Sequence, residues 1–399
     1  AQTVTKKFGD RYILIGPDLS HEGVNPEFEE DQNLLRAWRQ TVYAEGIRIR
    51  VGRWKIKGSP LVMLVDFSSL IPRKDEILAK LWEDYHVDSL SGQWDYIEPV
   101  LFGYAAGTVI ASYVKNFCTS TEKVVAHFHE WMAAAGGLYL RRYAPYVATA
   151  FTTHATVMGR CIAGNRLPLY NDLSKFNADE LARQFNVTAK HSIEKTAAEN
   201  HDAFLTVSDI TANECKFLLG REPNGVTPNG FENDFVWTGD TYYAKRDEAR
   251  KSMIAVAEAC LGCTFASEPL IVGTSGRYEF RNKGLDVFLE SLKKLAASDK
   301  LQREVLAYIT VPAGNRGPRP DLQAHLADPS NPIDPKQYRY STHKLENLSG
   351  DTIAASIRGS ILDTPESKVK VIFVPTYLNR NDGIFNKDYY ELLVGMDVT

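Results

Sequence analysis

Short apolar runs alternate along this chain with longer segments in which apolar residues recur with a helical period. Such alternation is typical of an α/β fold. Several runs lack strict polar alternation, as expected for parallel strands that are covered on both faces. Strands are predicted over residues 12–15, 61–65, 124–128, 150–152, 203–207, 270–274, 305–311 and 369–374. Helices are predicted between them, including 97–117, 178–200 and 285–295.

The chain length of 399 residues suits two or three domains, since a domain commonly takes roughly 100–200 residues. A turn at 228–230, followed by a charged helical pattern, predicts a boundary. We predict a Rossmann-like domain over 1–234, a helical connecting segment over 235–265, and an incomplete second Rossmann-like domain over 266–399. Two doubly wound units facing across a cleft are the simplest architecture. The stretch 312–338, rich in Pro, Asn and Asp, is predicted to be a polar insertion.

Composition narrows the classes of function. The net charge of -4 supplies no electrostatic reason to expect a nucleic-acid partner. Five scattered cysteines favour a reducing compartment, so a cytoplasmic location is expected. Zinc or redox use of the Cys260 and Cys263 pair is disfavoured because the chain has no second such pair. No apolar run approaches the roughly 18 residues of a membrane span. The chain lacks an initiator Met and stops within a predicted element, so both ends are expected to be cut.

The loop over 276–284 follows a predicted strand and precedes an amphipathic helix. In an open parallel sheet such a loop lies at the carboxyl edge, where ligands bind, and the helix N-terminus favours an anion. Arg277 offers a fork that matches phosphate oxygens, and Lys283 offers a point charge. A diphosphate site is therefore one hypothesis. The alternative is a solvated basic loop in which Arg277 forms a surface ion pair.

Polar residues also close two strands earlier in the chain. His127 and His129 are two residues apart, so they share one face of a strand, and Glu130 follows them at its end. A metal site at this pair would need further ligands; the alternative is that one ring packs and the other lines a cleft. His154 and Arg160 follow the next strand, where they could converge on a polar ligand, although a lone His is more often a core or capping residue.

Two further polar positions favour structural roles. Ser208 follows the strand predicted over 203–207, and its position predicts a helix N-cap. Asn229 lies in the turn at 228–230, where the residue types are those that turns prefer. The residues alone therefore assign Asn229 no more than the holding of that turn.

Taken together and in this order, these stretches resemble the glycogen synthases of the fungal and animal type, glycosyltransferase family 3. The resemblance extends over essentially the whole chain, and five motifs in register carry it. The similar stretches are 127–131 (His-Phe-His-Glu-Trp), 152–156 (Thr-Thr-His-Ala-Thr), 206–208 (Thr-Val-Ser), 228–230 (Pro-Asn-Gly) and 276–280 (Gly-Arg-Tyr-Glu-Phe).

The resemblance implies a GT-B fold, in which two Rossmann-like domains face each other across a cleft. It implies transfer of glucose from UDP-glucose to the non-reducing end of an α-1,4-glucan such as glycogen, with retention and without a metal or other cofactor. Arg277 and Lys283 would contact the donor diphosphate. His154 and Arg160 would line the donor glucose and phosphate region. Glu130 would lie near the sugar and Asn229 near the cleft between the domains.

Departures from the family pattern shape the remaining expectations. The family's donor-binding Gly-Gly loop is expected before Ala1, and its catalytic glutamates are expected after Thr399, so the chain alone is expected to be inactive. An insertion after Pro312 that is shorter than in the animal and fungal members favours a bacterial-type member. Two alternatives stay open: a non-catalytic nucleotide-sugar or glucan-binding module, and another GT-B enzyme such as an epimerase or a trehalose-type synthase. UDP against ADP as donor, homo-oligomerisation and allosteric control are also left open.

Overall fold

The computed structural model describes residues 2–19, 27–231, 233, 236–333, 339–364 and 366–399. The chain forms two compact units, residues 1–230 and residues 231–399. The boundary predicted between 234 and 235 falls on residues outside the described ones. The division into three parts and the cleft between the domains stay predictions.

The first unit contains eight strands and nine α-helices among the described residues. Their bounds are α1 Gln2–Phe8, β1 Ile13–Pro17, β2 Phe28–Glu30, α2 Arg36–Ala44, β3 Arg48–Trp54, β4 Leu61–Asp66, α3 Lys74–Tyr85, α4 Trp94–Phe117, β5 Val125–His129, α5 Ala134–Tyr143, β6 Ala148–Thr153, α6 Val157–Gly164, α7 Ala178–Gln184, α8 Thr188–Asn200, β7 Ala203–Thr206, α9 Asp209–Glu214 and β8 Gly225–Val226. One sheet has the order β1-β4-β3-β2 and the other the order β5-β6-β7-β8. The second sheet is parallel throughout.

Helix α4 belongs to the core of this unit. Among the described residues it is the one helix whose length and apolar composition would suit a membrane span, although no apolar run of that length was predicted from the sequence. Nine of its 24 residues are buried. Leu101 and Val109 pack with the strands of the β1-β4-β3-β2 sheet, and Val100 and Val114 pack with α5 and the β5-β6-β7-β8 sheet. The helix is apolar because it contacts two cores, which is the ordinary reason for such composition.

Helices α4 and α5 approach so closely that their backbones touch. Gly103 and Gly107 on α4 face Gly136 on α5. A Cβ atom added at Gly136 would lie 2.5 Å from the carbonyl oxygen of Gly103 and 2.6 Å from the Phe128 ring. Glycine is therefore required here by close approach of two helices, although it lowers intrinsic helix stability.

One predicted helix is two helices in the structure. The sequence analysis expected a single helix over 178–200, but α7 ends at Gln184 and α8 begins at Thr188. Asn186 lies between them with a φ of 55°, the left-handed conformation that Asn tolerates better than most residues. The apolar period continues through this break, so the pattern alone did not reveal it.

His201 is a buried histidine that predicts pH-dependent stability. Its ring packs between Phe128 and Phe151, and Nδ1 lies 2.8 Å from the carbonyl oxygen of Ala197. Burial lowers the pKa of His201 from 6.5 to about 4. The unfolded chain therefore binds a proton at His201 more readily than the folded chain does. The contribution of the neutral His201 to stability is present above pH 6.5 and is lost as the pH falls towards 4.

His201→Asn is expected to remove that part of the pH dependence, because the amide can still donate to Ala197 but does not titrate. Urea unfolding of both proteins at several pH values between 4 and 7 is the measurement. The difference in free energy of unfolding should shrink as the pH falls. A constant difference across the range would contradict the expectation.

The second unit contains five strands and five α-helices among its described residues. Their bounds are α10 Gly239–Leu261, β9 Leu270–Ser275, α11 Leu285–Ala296, β10 Val305–Thr310, β11 Asn315–Pro318, α12 Pro320–Ala327, β12 His343–Leu345, α13 Thr352–Ile357, β13 Val369–Phe373 and α14 Tyr389–Leu393. The parallel sheet has the order β13-β10-β9. Thus the α/β class predicted from the sequence is confirmed in both units.

Two segments of this unit differ in detail from the expectations. Helix α10, which falls within the predicted connecting segment, packs into the core of the second unit, where Met253 and Cys260 contact the sheet residues Ile271 and Leu306. The predicted polar insertion over 312–338 contains β11 and α12, and β11 pairs antiparallel with β12. Residues 334–338 of that insertion lie outside the described residues.

An ion-pair network ties α10 to the open edge of β9. Arg250 is almost fully buried, and its guanidinium donates to the carbonyl oxygens of Gly395 and Pro269 and to Oδ2 of Asp397 at 2.9, 3.0 and 3.0 Å. The same Asp397 oxygen accepts the backbone N–H of Ile271 at 2.8 Å. One carboxylate thereby docks the segment around Asp397 against the edge strand, whose backbone groups need partners.

Candidate functional site

In the first unit the carboxyl ends of β5 and β6 bring three histidines together. His127 and His129 project from the same face of β5, and their ring centroids are 4.2 Å apart. Nδ1 of His129 lies 3.1 Å from Nε2 of His154, which follows β6. Parallel pairing of His129 with Thr152 sets this contact, because both strands end at one edge of the sheet.

Both strand histidines are partly open to solvent, in contrast to the expectation that one of them packs. The strand alternates, so Ala126 and Phe128 take the buried face and both rings share the other. Nε2 of His127 lies 2.7 Å from the hydroxyl of Thr152. Partial burial, together with the neighbouring His127 and His154 rings, lowers the pKa of His129 to about 4.

Glu130 adopts an unusual backbone conformation at the same edge. Its φ is 65° and its ψ is 160°, a region that is rare for residues other than glycine. The carboxylate Oε1 accepts the backbone N–H of His154 at 3.2 Å, and the Glu130 N–H donates to the Thr152 carbonyl at 2.8 Å. Glu130 and His154, two residues that were predicted separately, are therefore in direct contact. The strained backbone of Glu130 is held by the two strand ends.

Helix α6 begins directly after this turn. Thr156 is its N-cap and accepts the Gly159 N–H at 3.0 Å. Arg160 lies on the exposed side of α6, one turn beyond the N-cap. His154 and Arg160 thus flank the start of one helix, and their convergence on a common ligand stays a prediction.

Two buried glutamates that were not predicted from the sequence lie behind the turn. Glu194 on α8 accepts the Thr153 hydroxyl at 2.8 Å and the Val157 N–H at 2.9 Å. Glu214 at the end of α9 accepts the hydroxyls of Thr156 and Tyr170 at 2.7 and 3.0 Å. The sequence signal for Glu194 is an acidic residue among apolar positions of a predicted helix. That signal does not show which distant residues the carboxyl group contacts.

Other sequence-predicted positions have plainer surroundings. Ser208 is the N-cap of α9 and accepts the Thr211 N–H at 3.1 Å, as predicted. Asn229 lies in an exposed segment at the end of the first unit. Among the residues that the structure describes, no group of three or more His, Cys, Asp and Glu side chains is arranged to hold a metal ion. Cys260 is fully buried, and burial raises its pKa to about 12, which disfavours a reactive thiolate.

In the second unit the loop after β9 carries Arg277 and Lys283 at the carboxyl edge of the sheet, as predicted. Both side chains are largely exposed. Arg277 Nε lies 3.2 Å from Glu279 Oε1, so the ion pair of the alternative hypothesis is present. A guanidinium carries five N–H donors, and the ion pair with Glu279 is formed by the Nε of Arg277. The loop therefore offers two cations at the place where the fold is suited to bind an anion.

The N-terminus of α11 contributes less than the sequence analysis expected. Asp286 lies in the first helical turn, and its Oδ1 accepts the Val287 N–H at 2.9 Å. Its Oδ2 lies 3.5 Å from Arg281 Nη1. A carboxylate of the protein therefore already occupies part of the positive end of the helix dipole. Charge for a ligand phosphate must come mainly from Arg277 and Lys283.

A cavity of about 510 Å³ opens beside this loop, between Tyr278, Gly314, Glu346 and Asp351. The Tyr278 hydroxyl lies 2.8 Å from Asp351 Oδ2 and accepts the Ile353 N–H at 3.0 Å. These bonds fix the start of the loop at Tyr278, directly beside Arg277. On the other side of the strand, Ser275 is hydrogen-bonded to Tyr389.

Comparison with known proteins identifies the family of this chain. The model of the family described as glycogen synthase matches residues 1–317, so the chain belongs to the glycogen synthase family. The resemblance predicted from the motifs is confirmed. The GT-B arrangement of the two α/β units stays an implication of that resemblance.

Similar curated proteins come from fungi and animals. Glycogen [starch] synthase of Neurospora crassa is 35% identical over 323 residues, which cover 78% of this chain and 45% of that protein. The Caenorhabditis elegans protein is 28% identical and the rat liver protein 29% identical, each over 99% of this chain and over 67% and 64% of the relative. The chain thus spans about half to two thirds of the length of these relatives.

Two solved structures are similar to this chain at a coarse level. An α,α-trehalose-phosphate synthase (UDP-forming) from Burkholderia xenovorans is 12% identical with a TM-score of 0.40, over 88% of this chain and 73% of that chain. An apo structure of OtsA is 11% identical with a TM-score of 0.41, over 98% and 76%.

Proposed function

We propose that this protein is a retaining hexosyltransferase that moves glucose from UDP-glucose to the non-reducing end of an α-1,4-glucan. The observation that carries the proposal is the family match over residues 1–317. Glycogen synthase is also the printed name of the relatives that cover 99% of the chain. Glu130 and His154 lie at the carboxyl edge of one parallel sheet, and Arg277 lies at the carboxyl edge of the other. Folds of this kind bind their ligands at that edge.

The chemistry requires charge neutralisation on the leaving side. When the bond between glucose C1 and the diphosphate oxygen breaks, negative charge grows on the diphosphate. Arg277 and Lys283 supply positive charge from a loop that is held at its start, and preorganised charge favours a developing anion. His154 and Arg160 are proposed to line the donor, and Glu130 is proposed to lie near the sugar. Asn229 is proposed to lie near the interdomain cleft that the family resemblance implies. No residue of the chain is assigned as the catalytic carboxylate, and no metal is invoked.

Location and assembly form part of the proposal. A cytoplasmic protein is consistent with five free cysteines, two of which are buried. UDP-glucose and glycogen are the proposed partners, and association with further copies of the chain is left to measurement.

The assay that tests the proposal measures incorporation of labelled glucose into glycogen by the protein expressed from its complete gene. UDP-glucose is expected to serve as donor, and the new linkage is expected to be α-1,4. Exclusive use of ADP-glucose would overturn the donor assignment. Binding of UDP in calorimetry without any transfer would favour the alternative of a non-catalytic module. Transfer to a small sugar phosphate instead of glycogen would favour a trehalose-type enzyme.

A further inference from the structure

The turn that carries His154 is held from behind by two acidic side chains that no sequence motif identified. Glu194 is fully buried on α8, and Glu214 is 7% exposed at the end of α9. Between them the two carboxyl groups accept four hydrogen bonds, at distances of 2.7 to 3.0 Å. Three of the four donors belong to the segment 153–157, between β6 and the first residue of α6.

The bonds define the path of the chain through the turn. Glu194 binds the hydroxyl of Thr153, the last residue of β6, and the N–H of Val157, the first residue of α6. It therefore connects the two ends of the turn. Glu214 binds the Thr156 hydroxyl, which itself caps α6. Glu130 completes the arrangement from the opposite side by accepting the His154 N–H.

Packing around Glu214 leaves the turn no room to shift. A Cβ atom at Gly159 would lie 2.2 Å from Glu214 Oε2 and 2.5 Å from Thr156 Oγ1. The backbone of α6 therefore approaches the carboxylate as closely as glycine allows. Arg160 follows this contact by one residue, so the same arrangement sets the direction in which Arg160 leaves the helix.

Stability alone does not explain two acids at these positions. Burial of a carboxyl group is costly, and apolar residues of similar volume are often at least as stabilising in a core. Burial, with the nearby charges of Glu130 and Glu214, raises the pKa of Glu194 to about 8. A carboxyl group buried at such cost supplies a defined hydrogen-bond geometry, which an apolar residue cannot supply.

We infer that Glu194 and Glu214 are positioning residues of the candidate active site, which fix the turn 153–159 so that His154 and Arg160 project from the sheet edge in one orientation. Neither residue touches the ligand. The inference rests on the proposed function for the identity of that ligand, but the holding of the turn can be measured independently.

The test compares Glu194→Leu with Glu194→Gln in the protein expressed from its complete gene. Leucine has a similar volume but accepts no hydrogen bond. Glutamine can accept the Val157 N–H through its amide oxygen and donate to Thr153 Oγ1 through its amide nitrogen. The Thr153 hydroxyl can then donate to the Ala155 carbonyl oxygen, which lies 3.4 Å from Oγ1 in the structure. Glu199→Gln is the matched control, because Glu199 is exposed on the same helix.

Two readouts separate positioning from ordinary stabilisation. Glu194→Leu is expected to lower kcat about tenfold and to raise the KM for UDP-glucose, with the KM for glycogen unchanged, since misplacement of groups near a reacting centre costs up to about a hundredfold. Amide hydrogen exchange is expected to rise within 153–159 and not in β5 or β7. Glu194→Gln should restore both quantities to within about threefold of the wild type, and Glu199→Gln should change neither.

Normal kinetics and unchanged exchange in Glu194→Leu would overturn the inference. If that variant fails to fold, Thr153→Val decides the matter, because it removes one of the same hydrogen bonds from the other side while conserving volume. Increased exchange at 153–159 in the folded Thr153→Val protein supports the inference, and unchanged exchange refutes it. If the wild type transfers no glucose, the proposed function fails, but the exchange measurement still tests the holding of the turn.

Discussion

Gly136→Ala is expected to destabilise the first unit by about 3 kcal/mol, near the upper end of the usual cost of overpacking a core. The added Cβ atom would lie 2.5 Å from the Gly103 carbonyl oxygen and 2.6 Å from Cε1 of Phe128. The first contact is with backbone, so a change of rotamer cannot relieve it. Helices α4 and α5 would have to separate, and that movement would loosen the packing of Phe128 and its neighbours throughout the larger core.

Urea unfolding followed by far-UV circular dichroism measures this effect. Gly164→Ala is the matched control, because Gly164 ends α6 and an added Cβ atom there meets nothing within 4 Å. That substitution is expected to change stability by at most about 0.5 kcal/mol, in the stabilising direction, through the lower entropy of the unfolded chain. Equal midpoints for Gly136→Ala and the wild type would show that the helix contact is looser than the structure indicates.

Three strands were readily predictable because burial on both faces makes each of them a continuous apolar run. Residues 61–65, 305–311 and 369–374 are of this kind, and all three are strands. Strand β3 was missed although its residues alternate, because its exposed positions are arginines and its pattern is that of a half-exposed antiparallel strand. The helix break at Asn186 was missed since a single left-handed residue leaves the apolar period intact.

Candidate site residues were predictable where strand ends could be located. His129, Glu130 and His154 lie at the carboxyl ends of β5 and β6, and parallel pairing of these strands brings them within hydrogen-bond distance. Glu194 and Glu214 were not predictable, because they reach the same turn from helices 37 to 58 residues away along the chain. A contact of that kind depends on tertiary packing, which no local pattern records.

Arg277→Ala and Lys283→Ala are each expected to lower kcat/KM for UDP-glucose by about 30- to 1000-fold, which corresponds to roughly 2–4 kcal/mol of lost transition-state stabilisation. The full value requires that bound donor exclude water from the loop. In the unliganded chain Arg277 is 60% exposed and paired with Glu279, so its charge is screened and contributes little to stability. Both variants should therefore unfold like the wild type while losing donor use.

Arg281→Ala is the control within the same loop, because it removes the same charge from a residue that is paired with Asp286 instead of being assigned to the diphosphate. Steady-state kinetics at a fixed glycogen concentration, with UDP-glucose varied, distinguish the three variants. A large loss of kcat/KM in Arg277→Ala and Lys283→Ala, with a change below about threefold in Arg281→Ala, would place the diphosphate at Arg277 and Lys283. The change in Arg281→Ala should be small because a screened surface charge contributes no more than about 1 kcal/mol. Equal, small effects in all three variants would mean that the loop is an ordinary basic surface, and the phosphate would have to be bound by other groups.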